Sequence, residues 1–401
     1  MSPNVPLWSA LTETDDRAGA QASVLTLLSV SKTRGVVRYS SLFPERVARA
    51  NTLTNYKIAK CDDIVLNKMS AASGAVGVAN ENGLVSPDYA VFRVRSENEP
   101  RYLNHLLRSD WILSQVEVSL RGIGTGDSQN VRTPRIAIRD YLSLRAPLPD
   151  LPTQRRIADY LDRETAQFDA MAQALDGLVA RLEERYARVV EGGTRLDIPH
   201  LPLGYCASIY NGSTPSRSRT DFWRDTPGVA WLNSSAVNQV PVTCPSRYVT
   251  NTAISECHLP EVRRGDLLMG ITGQGRTRGM VSISSIPGTI SQHVASIRLN
   301  ERAHPRFMFW VLKSHYETIR MNSEGSGSTK GAVTLDEIKR ISVPLPPLDE
   351  QRRIADYLDA ETAKIDAMIA KAGELRALLD ERRSALITAT VTGQHPVPEE
   401  P

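Results

Sequence analysis

The side chains best suited to chemistry lie in polar stretches between apolar runs, and they are hydrogen-bonding groups rather than nucleophiles. Gln129, Asn130 and Arg132 follow the run Gly122-Ile-Gly-Thr-Gly126, and Arg276, Arg278, Gln292, His293 and Lys330 occupy comparable stretches of the second half. Lys32, Arg34 and Lys68 add cations, and Ser213, Thr214 and Ser216 add hydroxyls. Arginine and lysine match the acceptor edge of guanine, and asparagine and glutamine match the donor–acceptor edge of adenine. The same cations hold phosphate, which positions a protein without reading sequence. The chemistry this set predicts is recognition of a polyanion with base edges. A structural role competes at three aromatic positions: His293 also fits a hydrogen-bonded core site, and Trp223 and Trp231 read as core rather than base-stacking residues.

Bond-breaking chemistry has no comparable support. The sequence lacks Asn/Asp-Pro-Pro-Tyr/Phe, Gly-x-x-x-x-Gly-Lys-Ser/Thr, His-Glu-x-x-His and Gly-x-Ser-x-Gly. The glycines at 122, 124 and 126 lead into Ser-Gln-Asn-Val, a poor helix start, which argues against a dinucleotide loop. Asp62, Asp63 and Asp266 precede apolar runs and read as turn formers. Cys61, Cys206, Cys244 and Cys257 form no Cys-x-x-Cys pair, and the seven histidines show no ligand spacing. With no 18-residue apolar run and no basic leader followed by an apolar core, the expectation is a cytoplasmic, non-catalytic chain with free thiols and no metal.

What must position these groups is visible as a duplication. Gln-Arg-Arg-Ile-Ala-Asp-Tyr-Leu-Asp occurs at 154–162 and again at 351–359, each time after a proline-rich lead-in. From 154 to 171, fifteen of eighteen residues match their partners 197 positions later. Proline permits a helix start but not its continuation, and no proline occurs from Thr153 to Glu191 or from Asp349 to Thr392. Two helices are predicted there, each reaching roughly 60 Å. Ile157, Leu161, Phe168, Met171, Leu175, Leu178, Leu182 and Val189 form a heptad-like seam; Ile354, Leu358, Ile365, Met368, Ala372, Leu375, Leu379 and Leu386 form its counterpart. Polar breaks recur at Glu164 and Arg185 and at Glu361 and Arg382. An antiparallel, pseudo-twofold pairing would set Glu164 against Arg382 and Glu361 against Arg185.

The remaining chain forms two globular modules, at 1–150 and 197–343, with helical segments at 151–196 and 344–392 and a tail at 393–401. The modules carry net charges of +3 and +5, and the segments 151–196 and 344–401 carry −1 and −4. Basic modules fit a phosphate-bearing partner, and acidic helices fit a protein partner. Strands are expected at Val24–Val30, Gly74–Ala79 and Tyr89–Val94, and Asp62–Lys68 reads as a turn into a strand, with a helix from Pro100 to Ser109. The second module repeats the order with Val229–Leu232, Arg264–Gly270, Gly279–Ile283, Ala295–Leu299 and a helix from Pro305 to Ser314. The fold class is mixed α+β.

The two proline-led helices, Gly212-Ser-Thr-Pro215 ahead of Asp221-Phe-Trp223, and the closing Ala385-Leu-Ile-Thr-Ala-Thr-Val-Thr-Gly-Gln394 resemble the specificity subunit of a type I restriction–modification system over nearly the whole chain. That resemblance implies two target recognition domains joined by an antiparallel two-helix spacer, each domain reading half of a split double-stranded DNA target. It implies helices that set the gap and dock two methyltransferase subunits, here through Gln154, Arg155, Arg156 and Tyr160 and through Gln351, Arg352, Arg353 and Tyr357. S-adenosylmethionine, ATP and Mg would belong to the methyltransferase and restriction subunits. The first module departs from the pattern: it lacks a Gly-x-Thr-Pro element, and its Gly122–Arg135 segment is longer and more basic than its counterpart. The rival reading is a duplicated coiled-coil module that binds protein only. A third is an S-like subunit of a fused restriction enzyme.

Overall fold

A computed structural model describes residues 4–43, 50–121, 135–225, 228–273, 275–324 and 331–398. The chain folds as two compact units, Met1–Asp176 with Gly373–Pro401, and Gly177–Ala372. Each unit holds one sheet-bearing module and parts of both long helices, which run Leu151–Thr194 and Leu348–Val391. Both helices start slightly before the predicted positions. Pro152 sits in the first turn, where its missing N–H deprives no carbonyl of a partner.

The first unit contains an antiparallel sheet in the order Leu11–Thr14, Tyr89–Val94, Ile64–Asn67, Val76–Val78. A second sheet runs Gly35–Arg38, Thr26–Ser31, Gly83–Val85, Lys57–Ala59, with a parallel pair between Thr26–Ser31 and Gly83–Val85. In the second unit the antiparallel sheet is Ala207–Asn211, Val294–Leu299, Leu267–Gly270, Val281–Ile283. Its other sheet again has one parallel pair, between Val229–Leu232 and Thr289–Ile290. Three short helices also recur: Pro100–Leu107, Asp110–Arg121 and Ile138–Ser143 correspond to Pro305–Ser314, Tyr316–Glu324 and Leu335–Arg340. The first helix of each trio begins with its proline, as expected.

One core in each unit joins the antiparallel sheet to the helices. In the first unit Phe92, Tyr102, Leu106 and Tyr141 pack with Leu161 of one long helix and Ile387 and Val391 of the other. In the second, Met269, Phe307 and Leu312 pack with Val190, Ala355 and Leu358. Each valine, leucine, isoleucine, phenylalanine or methionine among them contributes about 1.5–3 kcal/mol by leaving water, so these cores fix the modules on the helix ends.

The seam between the helices is narrower than predicted. Met171, Leu178, Met368 and Leu375 are 51%, 44%, 50% and 43% exposed; of the predicted seam Ile157, Leu161, Leu182, Leu358, Ile365 and Ala372 are buried, and Thr165, Ala172 and Thr362 complete the buried line. Two helices cover only a thin strip of each other, so large side chains just off that strip stay in water. The antiparallel register appears within each unit. Arg383 lies 3.5 Å from Asp169 and Arg376 3.8 Å from Asp176 in the first, and Arg185 lies 3.7 Å from Glu361 in the second. The expected Glu164–Arg382 partner pair does not close. Glu164 approaches Arg163 at 4.0 Å instead, and Arg382 stays exposed.

Candidate nucleic-acid interface

In the second unit, loop residues distant in sequence meet beside the sheets. Gly212 lets the chain pass against the Ile290 carbonyl, where a Cβ would collide at 1.7 Å. The next residue, Ser213, donates its N–H to that carbonyl at 3.2 Å and accepts from the buried Trp231 indole at 3.1 Å. This places the Thr214 hydroxyl on the exposed Gln292 amide, to which it donates a hydrogen bond. His293 is also exposed, and its Nδ1 meets the Thr272 hydroxyl at 2.7 Å. The backbone ladder continues: Ile271 N–H donates to the His293 carbonyl, and Val333 N–H donates to the Ile271 carbonyl. Thr214, Thr272, Gln292 and His293 thus form one polar patch, with Ser216 exposed nearby in the same loop. Ser216 holds Trp223 through its carbonyl, and the Trp223 ring packs edge-to-face on Trp231 at 5.2 Å. Both tryptophans support the loop.

Arg276 and Arg278 diverge. Arg276 is exposed on a loop tied down by helix Tyr316–Glu324: Tyr316 donates its hydroxyl to the Arg276 carbonyl at 2.7 Å, and Arg320 donates to the Gly275 carbonyl at 2.6 Å. Arg278 is only 3% exposed, packed so closely on Gly331 that any Cβ there would strike its guanidinium. The expectation that Arg278 faces a ligand is therefore corrected; it supports the loop from inside.

In the first unit, Lys32 and Arg34 project from the turn between Thr26–Ser31 and Gly35–Arg38. Arg108 holds that turn, donating to the Lys32 and Thr33 carbonyls at 3.1 and 2.7 Å. Burial, with Arg383 close by, pushes the Arg108 pKa down. Lys68 is half-buried, and its carbonyl accepts from Ile136 N–H, as that of Ile271 does from Val333. Gln129, Asn130, Arg132 and Lys330 lie outside the described residues. The position equivalent to Arg108 is Lys313, which turns inward and donates to the Tyr186 hydroxyl at 2.5 Å amid Phe309 and Trp310. Burial lowers its pKa.

The nine-residue repeat acts as an internal clamp. Gln154 accepts the Glu99 N–H at 2.9 Å and donates to Asn98 Oδ1 and the Pro149 carbonyl. Gln351 accepts the His304 N–H at 2.7 Å and donates to the Arg302 and Pro346 carbonyls. With 1% and 0% exposure, both glutamines are spent inside the fold and offer nothing to a partner, contrary to expectation. Arg101 bonds Asp159 and Asp162, and Arg306 bonds Asp356 and Asp359. His105 Nε2 meets Asp162 at 2.7 Å where Trp310 Nε1 donates to Asp359 at 2.6 Å. That imidazole, with Arg101 beside it, holds the Asp162 carboxyl below the usual carboxylate range. The other expected partner residues remain on the surface. Arg155 faces Glu99 at 3.5 Å, Arg156 is exposed, Arg352 and Arg353 bridge to Asp349 and Glu350, Tyr357 is open and Tyr160 is half-covered.

Sequence reasoning missed Thr272 and Arg108. Thr272 opens a polar loop one residue beyond the strand Leu267–Gly270, a position that flags loop-mouth residues; Arg108 carries no such signal, since a helix-end arginine is ordinary. Buried Asp63 and Asp266, read as turn formers, are that: each accepts a local backbone N–H and pairs with Arg93 or Arg298. Among the described residues no group of acidic, histidine or cysteine side chains is placed to hold a metal, and no helix is long and apolar enough to cross a membrane.

Residues 206–375 match the family model for the type I restriction modification DNA specificity domain. The chain is 20% identical over 235 residues to the EcoR124I/EcoR124II specificity subunit of Escherichia coli, a match covering 55% of this chain and 56% of that relative. The match thus spans little more than half the relative's length. Among solved structures, a chain from work on complex assembly and conformational transition of the type I R-M system aligns with TM-score 0.76 at 19% identity, covering 98% of this chain and 100% of the other. The HsdS subunit from Thermoanaerobacter tengcongensis aligns with TM-score 0.56 at 18% identity, covering 98% and 97%. These likenesses show a shared fold of two sheet modules and long helices.

Proposed function

We propose that this chain, which resembles the type I restriction–modification specificity subunits, is the DNA-reading subunit of such a system, each module selecting one half of a split target. The observation that carries this reading is the polar patch of the second unit, where hydroxyl, amide and imidazole groups from three separate stretches converge on a rigid support. In the first unit the Lys32–Arg34 turn is held in a comparable way. Amide and imidazole groups select bases, and the surrounding Arg and Lys engage phosphate. The chain breaks no bonds. Methylation would come from docked methyltransferase subunits that bind S-adenosylmethionine, and cleavage from restriction subunits using ATP and Mg. The clamps hold each module on the helices, so the helices act as the ruler between half-sites. The rival reading, a duplicated protein-binding module, gives no reason for the convergent base-edge donors.

The test is co-expression with an adenine methyltransferase subunit and mapping of N6-methyladenine across the host genome. A single split motif with a fixed gap, absent without this chain, is the expected result. One helical turn inserted into both long helices should change the gap and leave the half-sites intact. An unchanged gap refutes the ruler, and methylation independent of the chain refutes the reading role.

A further inference from the structure

The two long helices end differently, and the difference leaves a groove open. In the first unit the segment after Val391 turns back, with Gln394 and His395 both donating N–H groups to the Ala389 carbonyl at 2.8 and 3.0 Å. This lays the His395 ring along Tyr160, centroids 5.8 Å apart and planes 28° from parallel. The Tyr160 hydroxyl meets His395 Nε2 at 3.0 Å, and Val397 packs on the core. In the second unit the chain leaves its helix at Thr194 for the strand His200–Pro202. Tyr357, the repeat partner of Tyr160, is left 54% exposed. It lines a groove of about 590 Å³ with Arg185, Arg188, Val189, Gly192 and Gly193.

The open groove repeats the filled one residue by residue. Tyr357 stands for Tyr160, Val189 for Leu386, and Gly192 and Gly193 for Ala389 and Thr390. Gly192 leaves the groove open, with nothing within 4 Å of where a Cβ would stand, while Gly193 makes room for Leu358 beneath it. One exchange alters its charge: Arg188 replaces Ala385. Arg188 has no ion-pair partner among the described residues, while Arg185 reaches Glu361. The groove therefore fits a segment like the one on Tyr160, continued by carboxylates. The sequence His395-Pro-Val-Pro-Glu-Glu400 has that composition.

We propose that the Tyr357 groove docks the His395–Glu400 segment of a second copy of this chain. The imidazole lies on Tyr357, Val397 lies over Val189 and Gly193, and the carboxylates sit opposite Arg185 and Arg188. The donor copy gives up its own Tyr160 contact and gains the equivalent one plus the charge pairs. The exchange replaces an intramolecular contact by an intermolecular one, so association follows concentration, and its charge pairs weaken with salt. This proposal rests on the geometry of each unit and not on the DNA-reading assignment; because Tyr357 is also a residue offered to a methyltransferase subunit, the second copy and that subunit exclude one another at this groove.

The experiment titrates a fluorescently labelled peptide of residues 393–401 into the full chain, whose Tyr160 groove is already filled. Saturable binding is expected, weakened about tenfold by Tyr357→Ala, which removes stacking and the hydroxyl together. Tyr357→Phe should retain most of the affinity, and Arg188→Ala should lose about threefold. Tyr357 is exposed, so matched thermal melts keep the comparison clean. Sedimentation of the full chain should show a dimer that grows with concentration and is lost in Tyr357→Ala. Absence of saturable binding, or binding indifferent to Tyr357→Ala, overturns the site. Peptide binding to a chain that stays monomeric at every concentration overturns the second-copy assignment.

Discussion

The two clamps are built from the same nine residues, yet they are not equally rigid. Gln351 ends on three backbone groups, the His304 N–H and the Arg302 and Pro346 carbonyls. Gln154 spends one of its bonds on the Asn98 side chain, which can turn away. Asp359 receives an indole N–H from Trp310, whereas Asp162 faces the imidazole of His105. The comparison teaches that the helix supplies a fixed socket and each module supplies its own plug. Modules can then diverge in their loops while the socket stays constant, as the sequence difference between modules and helices requires.

The largest expected effect comes from emptying the sockets. Gln351→Ala strands the buried Pro346 carbonyl and the part-buried His304 N–H and Arg302 carbonyl and should cost about 3 kcal/mol. Gln154→Ala should cost about 2 kcal/mol, because Asn98 can turn to water. Urea melts of the two variants measure this; equal losses would mean that the plugs are equivalent after all.

A smaller effect distinguishes the plugs by pH. The carboxyl of Asp162 is depressed in the fold relative to the unfolded chain, so the unfolded state binds more protons in the window between the two pKa values. The stabilisation is complete above the ordinary aspartate range and is lost as pH falls through the depressed value. Asp162→Asn should therefore flatten the acid limb of the stability curve below about pH 4, by less than about 1 kcal/mol because the carboxylate is part-exposed. Urea midpoints across that range check it; an unchanged limb would remove the His105–Asp162 pair from the clamp.

The smallest effect tests the helix register. Reversing Arg185→Glu should cost about 0.5 kcal/mol, and adding Glu361→Arg should restore it. The equivalent reversal at Glu164 and Arg382 should show no coupling, since that pair does not close. Coupling at both sites would return the symmetric pairing that the repeat alone implies.

Much of the fold was legible because it was written twice. Prolines marked both helix starts, the strands Tyr89–Val94 and Val229–Leu232 were readable from apolar runs, and Pro100 and Pro305 announced the first short helices. Two- and three-residue strands such as Thr289–Ile290 and Gly83–Val85 were not legible, because their pairing is non-local and their composition ordinary. The site was half legible. Residue type singled out Gln292 and His293, which are exposed beside Thr214, and it also singled out Arg278, which is buried.

By itself the sequence determined the duplication, the long helices and the kind of chemistry the loops can perform, since periodicity, proline placement and donor–acceptor type are local properties of the chain. Only the tertiary structure decided which of those groups face outward. The repeat's glutamines and Arg278 turn inward, while Tyr160 is half-covered and Tyr357 is exposed. The physical reason is that burial depends on what packs against a residue, and identical residues in the two copies meet different neighbours.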